Sequence, residues 1–237
     1  MYDIVMVTSD ETNAELNWQR LHERAPQAVR VDGAASVQEA YARAVAVVAT
    51  THFFLVDGDN WLLDGFGFNV DSNPRAGEPV FWLARNPVND LVSPHGAIKL
   101  LPAEITRQVA LGARAIDVAL SIGTSRQVVG VTASEHRFNT SAFEAWRTAF
   151  RECAKLASRL TPINDKPRNF MLNVWCSKAK TGASFTEWCR LGARQGRSFG
   201  ERYLHHPRHL QRLNDFVWLQ RVFDQNQDKI LLSRQLS

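Results

Sequence analysis

The sequence predicts an α/β fold with a mostly helical, basic C-terminal region, and three observations carry that expectation. Short apolar runs alternate with amphipathic stretches through the first quarter of the chain, the pattern of strand–helix–strand units. Past Pro162 the pattern becomes helical almost throughout. Charge is also divided: residues 1–136 balance at −6 and residues 137–237 at +10, within a net charge of +4 over 237 residues. The expected boundary lies at residue 136, with the helical region 137–237 packed on the α/β domain 1–136.

Ile4-Val5-Met6-Val7 reads as the first strand, ending in Thr8-Ser9-Asp10. Residues 14–24 place Leu16, Trp18 and Leu21 among polar residues, an amphipathic helix stopped by Pro26. Ala28–Val31 is a short second strand. Ser36-Val37-Gln38-Glu39 is a capping box that opens a helix running to Ala49. Phe53-Phe54-Leu55-Val56 is the third strand. Strand, helix, strand, helix, strand argues for parallel pairing with right-handed crossovers, a half-domain of the nucleotide-binding kind.

The third strand ends in Asp57-Gly58-Asp59. Ligands of open α/β sheets bind beyond the carboxyl ends of the strands. Two carboxylates there suit a hard cation such as Mg²⁺ or Mn²⁺, which keeps waters and substrate phosphates as its other ligands. Gly58 is expected to let the backbone turn tightly between the acids. Asp-Gly-Asp is also ordinary turn chemistry, so the alternative is a turn with no ligand.

Other function classes recede. No GxGxxG follows the first strand, and there is no GxxxxGK[ST], GxSxG or HExxH. With 45% hydrophobic and 22% charged residues the composition is that of a globular protein. No run of 18 apolar residues suggests a membrane span, and no signal peptide is expected at the N-terminus. Cys153, Cys176 and Cys189 form no CxxC pair and fit free thiols in a reducing compartment.

Pro79–Leu83 reads as a further strand, followed by a proline- and asparagine-rich loop whose titratable groups are Asp90, His95 and Lys99. Lys99 and Asp90 also suit a surface lysine and a turn former. Gln127–Val131 is a strand, and Glu135–Thr140 connects it to what reads as the longest helix, capped by Ser141 and Glu144. Phe143, Trp146, Phe150, Cys153, Ala157 and Leu160 mark the core side of that helix. Arg147, Arg151 and Lys155 form a basic ridge on another side, suited to nucleic-acid phosphates or to a solvated surface. Ser184 and Glu187 look like a third capping box. Pro207 suits the first turn of the last long helix. His205, His206 and His209 suit either a metal or a helix end.

Val31-Asp32-Gly33, Phe54–Asp59, Arg85–Asn89, Gly96–Pro102, Phe138-Asn139-Thr140 and Ala145–Cys153 occur in an order that resembles one family. It is the GT-A glycosyltransferase-like proteins of tailed bacteriophages, including those that decorate hydroxymethylated pyrimidines of phage DNA. The matched blocks span about residues 4–160; nothing after them matches. The resemblance implies a GT-A-like, Rossmann-type mixed sheet. It implies a metal-dependent enzyme of the cytoplasm of an infected bacterial host, using a nucleotide-sugar donor, a UDP-sugar first, with Mn²⁺ or Mg²⁺. Asp57 and Asp59 would fall on the metal-binding DxD, with His136 as a further ligand. Thr8, Asp10, Arg30 and Asp32 would fall near the nucleoside pocket. The acceptor would be 5-hydroxymethylcytosine or 5-hydroxymethyluracil in double-stranded DNA, contacted through Arg147, Arg151 and Lys155. Ser93-Pro94-His95-Gly96 departs from the expected aromatic- and glycine-rich stretch, on the side expected to face the acceptor.

In such a transfer Lys99 or Arg85 would add positive charge at the diphosphate, and Asp90 would be the general base of an inverting course, which a retaining course would not require. The rival readings are a nucleotidyltransferase, which Thr8-Ser9-Asp10-Glu11 does not favour because it lacks a glycine-rich basic loop, and a non-catalytic nucleic-acid-binding protein on a transferase-like fold.

Overall fold

The computed structural model describes residues 1–9, 11–70, 74, 77–94, 96–112, 115–123 and 125–235, with side chains through 227. The chain divides into two compact units, Met1–Thr140 and Ser141–Ser237.

The first unit runs β1 (Asp3–Val7), α1 (Ala14–Arg24), β2 (Val29–Val31), α2 (Val37–Ala46), β3 (His52–Asp57) and β4 (Asn60–Leu62). It continues β5 (Val80–Arg85), β6 (Val92–Ser93), β7 (Lys99–Pro102), α3 (Ala103–Leu111), α4 (Val118–Ser121) and β8 (Gln127–His136). All eight strands join one mixed sheet in the order β2-β1-β3-β7-β5-β8-β4, with β6 paired to β5. β1 is parallel to both β2 and β3, as the alternation predicts. β7 is antiparallel to β3 and β5, and β8 is parallel to β5.

Strand residues alternate between two cores. Val5, Val7, Phe53 and Leu55 pack with Tyr41 and Val45 of α2 and with α3 and α4 on one side. Ile4, Met6, Phe54 and Val56 pack with Leu21 of α1, Leu62 and Trp82 on the other. A strand covered on both faces reads as an unbroken apolar run, which is why β3 is so plain in the sequence. Ser36 caps α2 as expected: its Oγ accepts from the Glu39 amide at 3.1 Å, while the Glu39 carboxylate accepts from the Ala35 amide at 3.0 Å.

Only Gly58 and Asp59 separate β3 from β4, yet four strand spacings lie between them in the sheet order. Those spacings would cover about 19 Å in a flat sheet, while three Cα steps reach about 11 Å at most. The sheet must curl, and the Asp57–Asp59 turn closes the curl. β8 also runs on to His136, so Glu135 and His136 belong to a strand and not to a connection. Its largely polar, partly exposed sequence hides that continuation.

The second unit is helical: α5 (Ala142–Ala157), α6 (Asp165–Ser177), α7 (Thr186–Arg202), α8 (Pro207–Leu210), a 3-10 turn (Gln211–Asn214) and α9 (Phe216–Gln235). At 16 residues α5 is shorter than α7 and α9, which correct the expectation that it is longest. Pro207 opens only a four-residue helix; α9 begins after Asp215, whose Oδ1 accepts from the Trp218 amide at 2.9 Å. Ser184 is not the residue at the N-cap position of α7: Phe185 is, in the left-handed region at φ 55, and its own side chain makes no capping hydrogen bond. α5 and α7 lie in close contact because Gly192, Gly196 and Gly200 meet the backbone of Trp146, Phe150 and Ala154. A Cβ at those glycines would sit 2.2, 2.1 and 2.4 Å from the facing carbonyl oxygens.

Candidate active site

The Asp57-Gly58-Asp59 turn is fixed from several sides. The Arg137 amide donates to the Asp59 carbonyl at 2.7 Å, and Asn17 Nδ2 of α1 donates to the Gly58 carbonyl at 2.8 Å. Asn13 Nδ2 donates to the Arg137 carbonyl at 2.9 Å, tying the start of α1 to the end of β8. Gly58 is not in the left-handed region, contrary to the expected reason for its place. Close approach explains it: a Cβ there would lie 3.0 Å from both Glu11 Oε2 and Thr8 Cγ2.

Each acid has a cationic or imidazole neighbour. Lys99 Nζ, at a position 5% exposed, donates to Asp57 Oδ2 at 2.6 Å. His136 Nε2 lies 2.8 Å from Asp59 Oδ2. The register explains the second contact, since His136 of β8 is paired with Asn60, the residue after Asp59. Gly96, at φ +68, packs on the His136 ring so closely that a Cβ would come within 2.3 Å of Nδ1. A third carboxylate, Glu11, accepts from the Ser9 amide at 2.7 Å. Burial pushes the Glu11 carboxyl above its ordinary value, and the Asp59 charge adds to that rise despite hydrogen bonds that oppose it.

At the carboxyl ends of β1 and β2 a second cluster forms. Thr8 Oγ1 donates to Asp32 Oδ1 at 2.6 Å, and Arg30 Nε donates to the same oxygen at 2.5 Å. Arg30 also donates to Glu15 of α1 at 2.6 Å. Burial opposes ionisation of Asp32, but the bonds from Thr8 and Arg30 outweigh it and hold the carboxyl below its usual range.

Thr8, Arg30 and Asp32 thus come together, as do Asp57 with Lys99 and Asp59 with His136. Asp10 and His95 lie outside the described residues. Arg85 is paired with Glu135 at 3.0 Å, and Glu135 also accepts from Arg137 at 2.7 Å. Asp90 is exposed at φ 57, its amide bonded to the Asn86 carbonyl at 2.9 Å. Asp57, Asp59 and His136 do not converge as one ligand group: among the described residues no three His, Cys, Asp or Glu are placed to hold a metal ion. Asp57 turns to Lys99 instead. Asp59 and His136 bring a hard oxygen and an imidazole nitrogen within 2.8 Å of each other, two donors to which a cation would have to add phosphates and water. His205, His206 and His209 make no metal group either; the His209 ring stacks on Tyr203 at 4.4 Å.

The basic ridge of α5 is not a solvent-facing one. Arg147 is paired with Glu144 and lies 4.6 Å from the Phe216 ring centroid. Arg151 Nε donates to the Leu213 carbonyl at 2.7 Å, and buried Lys155 is paired with Glu152 at 2.8 Å. An amphipathic helix with charges four apart looks the same in sequence whether those charges meet water or neighbouring helices.

Sequence reasoning missed Glu11, Asn13, Asn17 and Glu135. Single polar residues at helix starts and strand ends carry no spacing signal; only the packing of α1 and β8 around the turn reveals them.

No protein-family model matches the chain, and no curated protein does. Among solved structures, the chain is similar to a glycosyltransferase involved in the glycosylation of the major capsid of PBCV-1. That match has 9% identity and a TM-score of 0.37, covering 54% of this chain and 81% of the other. It is also similar to the mannosyltransferase PcManGT from Pyrobaculum calidifontis in complex with GDP-Man and Mn²⁺. Here identity is 11% and the TM-score 0.44, covering 83% of this chain and 76% of the other.

Proposed function

We propose that the protein is a metal-assisted glycosyltransferase that moves a sugar from a nucleotide-sugar donor to a hydroxyl acceptor. The observation that carries this reading is the Asp57–Asp59 turn at the carboxyl end of β3, with Asp59 held 2.8 Å from His136. The donor's nucleoside would lie along Thr8, Arg30 and Asp32, and its diphosphate over the turn. Asp59 and His136 would hold Mn²⁺ or Mg²⁺. That cation would supply Lewis-acid neutralisation of the departing diphosphate. Lys99 offsets the charge of Asp57 and brings a fixed ammonium to the same turn, where negative charge grows as the bond breaks.

In the transfer the anomeric C–O bond to phosphate breaks and the nucleoside diphosphate leaves with the electron pair. The acceptor oxygen bonds to the anomeric carbon and its proton passes to a base, Asp90 in an inverting course. We favour a UDP-sugar as donor and a hydroxymethylated pyrimidine of phage DNA as acceptor. The support for DNA is the +10 balance of residues 137–237. A base within a duplex would have to be flipped out to be reached.

The test is nucleotide release from a panel of UDP- and GDP-sugars with Mn²⁺, with and without DNA containing 5-hydroxymethylcytosine or 5-hydroxymethyluracil. Release should fall roughly a thousandfold in Asp59→Ala, the loss expected when several kcal/mol of metal assistance disappear. Stimulation by modified DNA would support that acceptor; release indifferent to DNA would remove it and leave the transferase. No release from any donor would overturn the reading.

A further inference from the structure

Within the helical unit, α5, α7, the 3-10 turn and α9 line a cavity of about 350 Å³. Ligand sites run from roughly 300 to 1,000 Å³, so this one suits a single small group. Its walls are aromatic: Trp218 lies 5.5 Å from Phe199, and Phe199 lies 4.8 Å from Tyr203, ring centre to ring centre. Trp218 and Tyr203 are half-buried, so each ring keeps part of its surface open to the cavity.

Two arginines line the same cavity, Arg202 and Arg212, and the Arg212 guanidinium lies 5.8 Å from the Trp218 ring centre. Elsewhere on α7 the arginines have protein partners. Arg190 is paired with Glu187, Arg197 with Glu201, and Arg194 donates to the Cys176 carbonyl. Among the described residues, Arg202 and Arg212 pair with no carboxylate, and none of the residues lining the cavity is acidic. Gln195 and Asn226 also line it. Their amides are fixed by a relay in which Trp146 Nε1 donates to Gln195 Oε1 at 2.7 Å and Gln195 Nε2 donates to Asn226 Oδ1 at 2.9 Å.

A phosphate alone gives no reason for four aromatic rings, and a neutral sugar gives none for two guanidiniums without a carboxylate. A planar ring carrying a phosphate uses both. We propose that this cavity binds a nucleotide unit, with its base stacked on Trp218 and its phosphate held by Arg202 and Arg212. The unit comes either from a free mononucleotide or from one residue of a single strand. Only binding is at issue, so the proposal stands whether or not the first unit transfers sugars.

The experiment uses the full-length protein with two probes, thymidine monophosphate and a fluorescein-labelled oligothymidylate, from about 50 to 200 mM salt. Arg202→Gln/Arg212→Gln should weaken any probe that binds by about tenfold or more at low salt. For the strand it should also reduce the salt slope by about 0.7, since one phosphate is left without its arginines. Ser198→Trp, at an exposed position on the cavity wall, should weaken binding by a similar factor without changing the slope. Mononucleotide binding that both substitutions weaken assigns a mononucleotide site; strand binding alone assigns a single-strand site. The proposal is overturned if neither probe binds more tightly than about 1 mM. It is equally overturned if Ser198→Trp has no effect, which would reduce the binding to surface charge, or if orthophosphate competes as well as the mononucleotide. Should Ser198→Trp fail to fold, unchanged binding by the double arginine variant overturns it alone.

Discussion

The three cysteine thiols respond to the fold in opposite directions, and Cys176 alone among them is made more acidic. A hydrogen bond from Cys153 draws its thiol down from 9.0 to about 7, with Arg197 and Arg194 adding to the effect and burial opposing it. Burial pushes Cys189 up to about 12 and Cys153 higher than its ordinary value. Alkylation by iodoacetamide, read by mass spectrometry, should therefore label Cys176 with a midpoint near pH 7 and spare the other two. Equal labelling of all three in the folded protein would contradict the packing of α5, α6 and α7. Asp3 gives a second reading. Burial raises its carboxyl, but bonds from the Thr50 amide at 2.9 Å, the Ala49 amide at 2.7 Å and the Thr50 hydroxyl at 2.8 Å bring it below 3.8 overall. A depressed carboxyl contributes stability that is present above its unfolded value and lost as pH falls through the folded one. Asp3→Asn should thus flatten the loss of stability below about pH 4 in acid titrations followed by circular dichroism.

The glycines of α7 are an element-scale matter. Gly196→Ala places a Cβ 2.1 Å from the Phe150 carbonyl oxygen of α5, a backbone atom that cannot swing aside. It should cost about 1–3 kcal/mol in denaturant unfolding, as overpacked sites do, while Gly130→Ala, with nothing within 4 Å, should cost far less. Equal effects at the two positions would show that the α5–α7 contact is looser than described. The same elements show what the sequence could and could not yield. β1, α1, β2, α2 and β3 were legible because apolar period and capping chemistry are local signals. The three glycines at a spacing of four were legible in principle, yet their meaning depends on which helix faces them. Likewise, Asp57-Gly58-Asp59 was visible as a pair of acids, but the pairing of Asp57 with Lys99 and of Asp59 with His136 follows from the register of β3–β7 and β4–β8. Such pairings join residues 42 and 77 positions apart, beyond any local pattern.

At the scale of the whole molecule, each unit carries its own packing. Every strand of the sheet and both apolar clusters of the α/β unit lie within residues 1–140. Residues 1–140 expressed alone should melt cooperatively, whereas a gradual, non-cooperative melt would mean that the sheet needs the helices. The charge division, −6 against +10, follows nearly the same boundary, so a polyanionic partner would be drawn to the helical side.

The most direct test of the account is calorimetric titration of nucleoside diphosphates, UDP and GDP, with and without Mn²⁺. Binding should require the cation and should be lost in Asp59→Ala, with His136→Ala weakening the metal by roughly ten- to a hundredfold, the scale on which even an outer-shell partner counts. Nucleotide binding that is indifferent to both Mn²⁺ and Asp59, or no binding at all, would contradict the claim that this turn is a metal–diphosphate site.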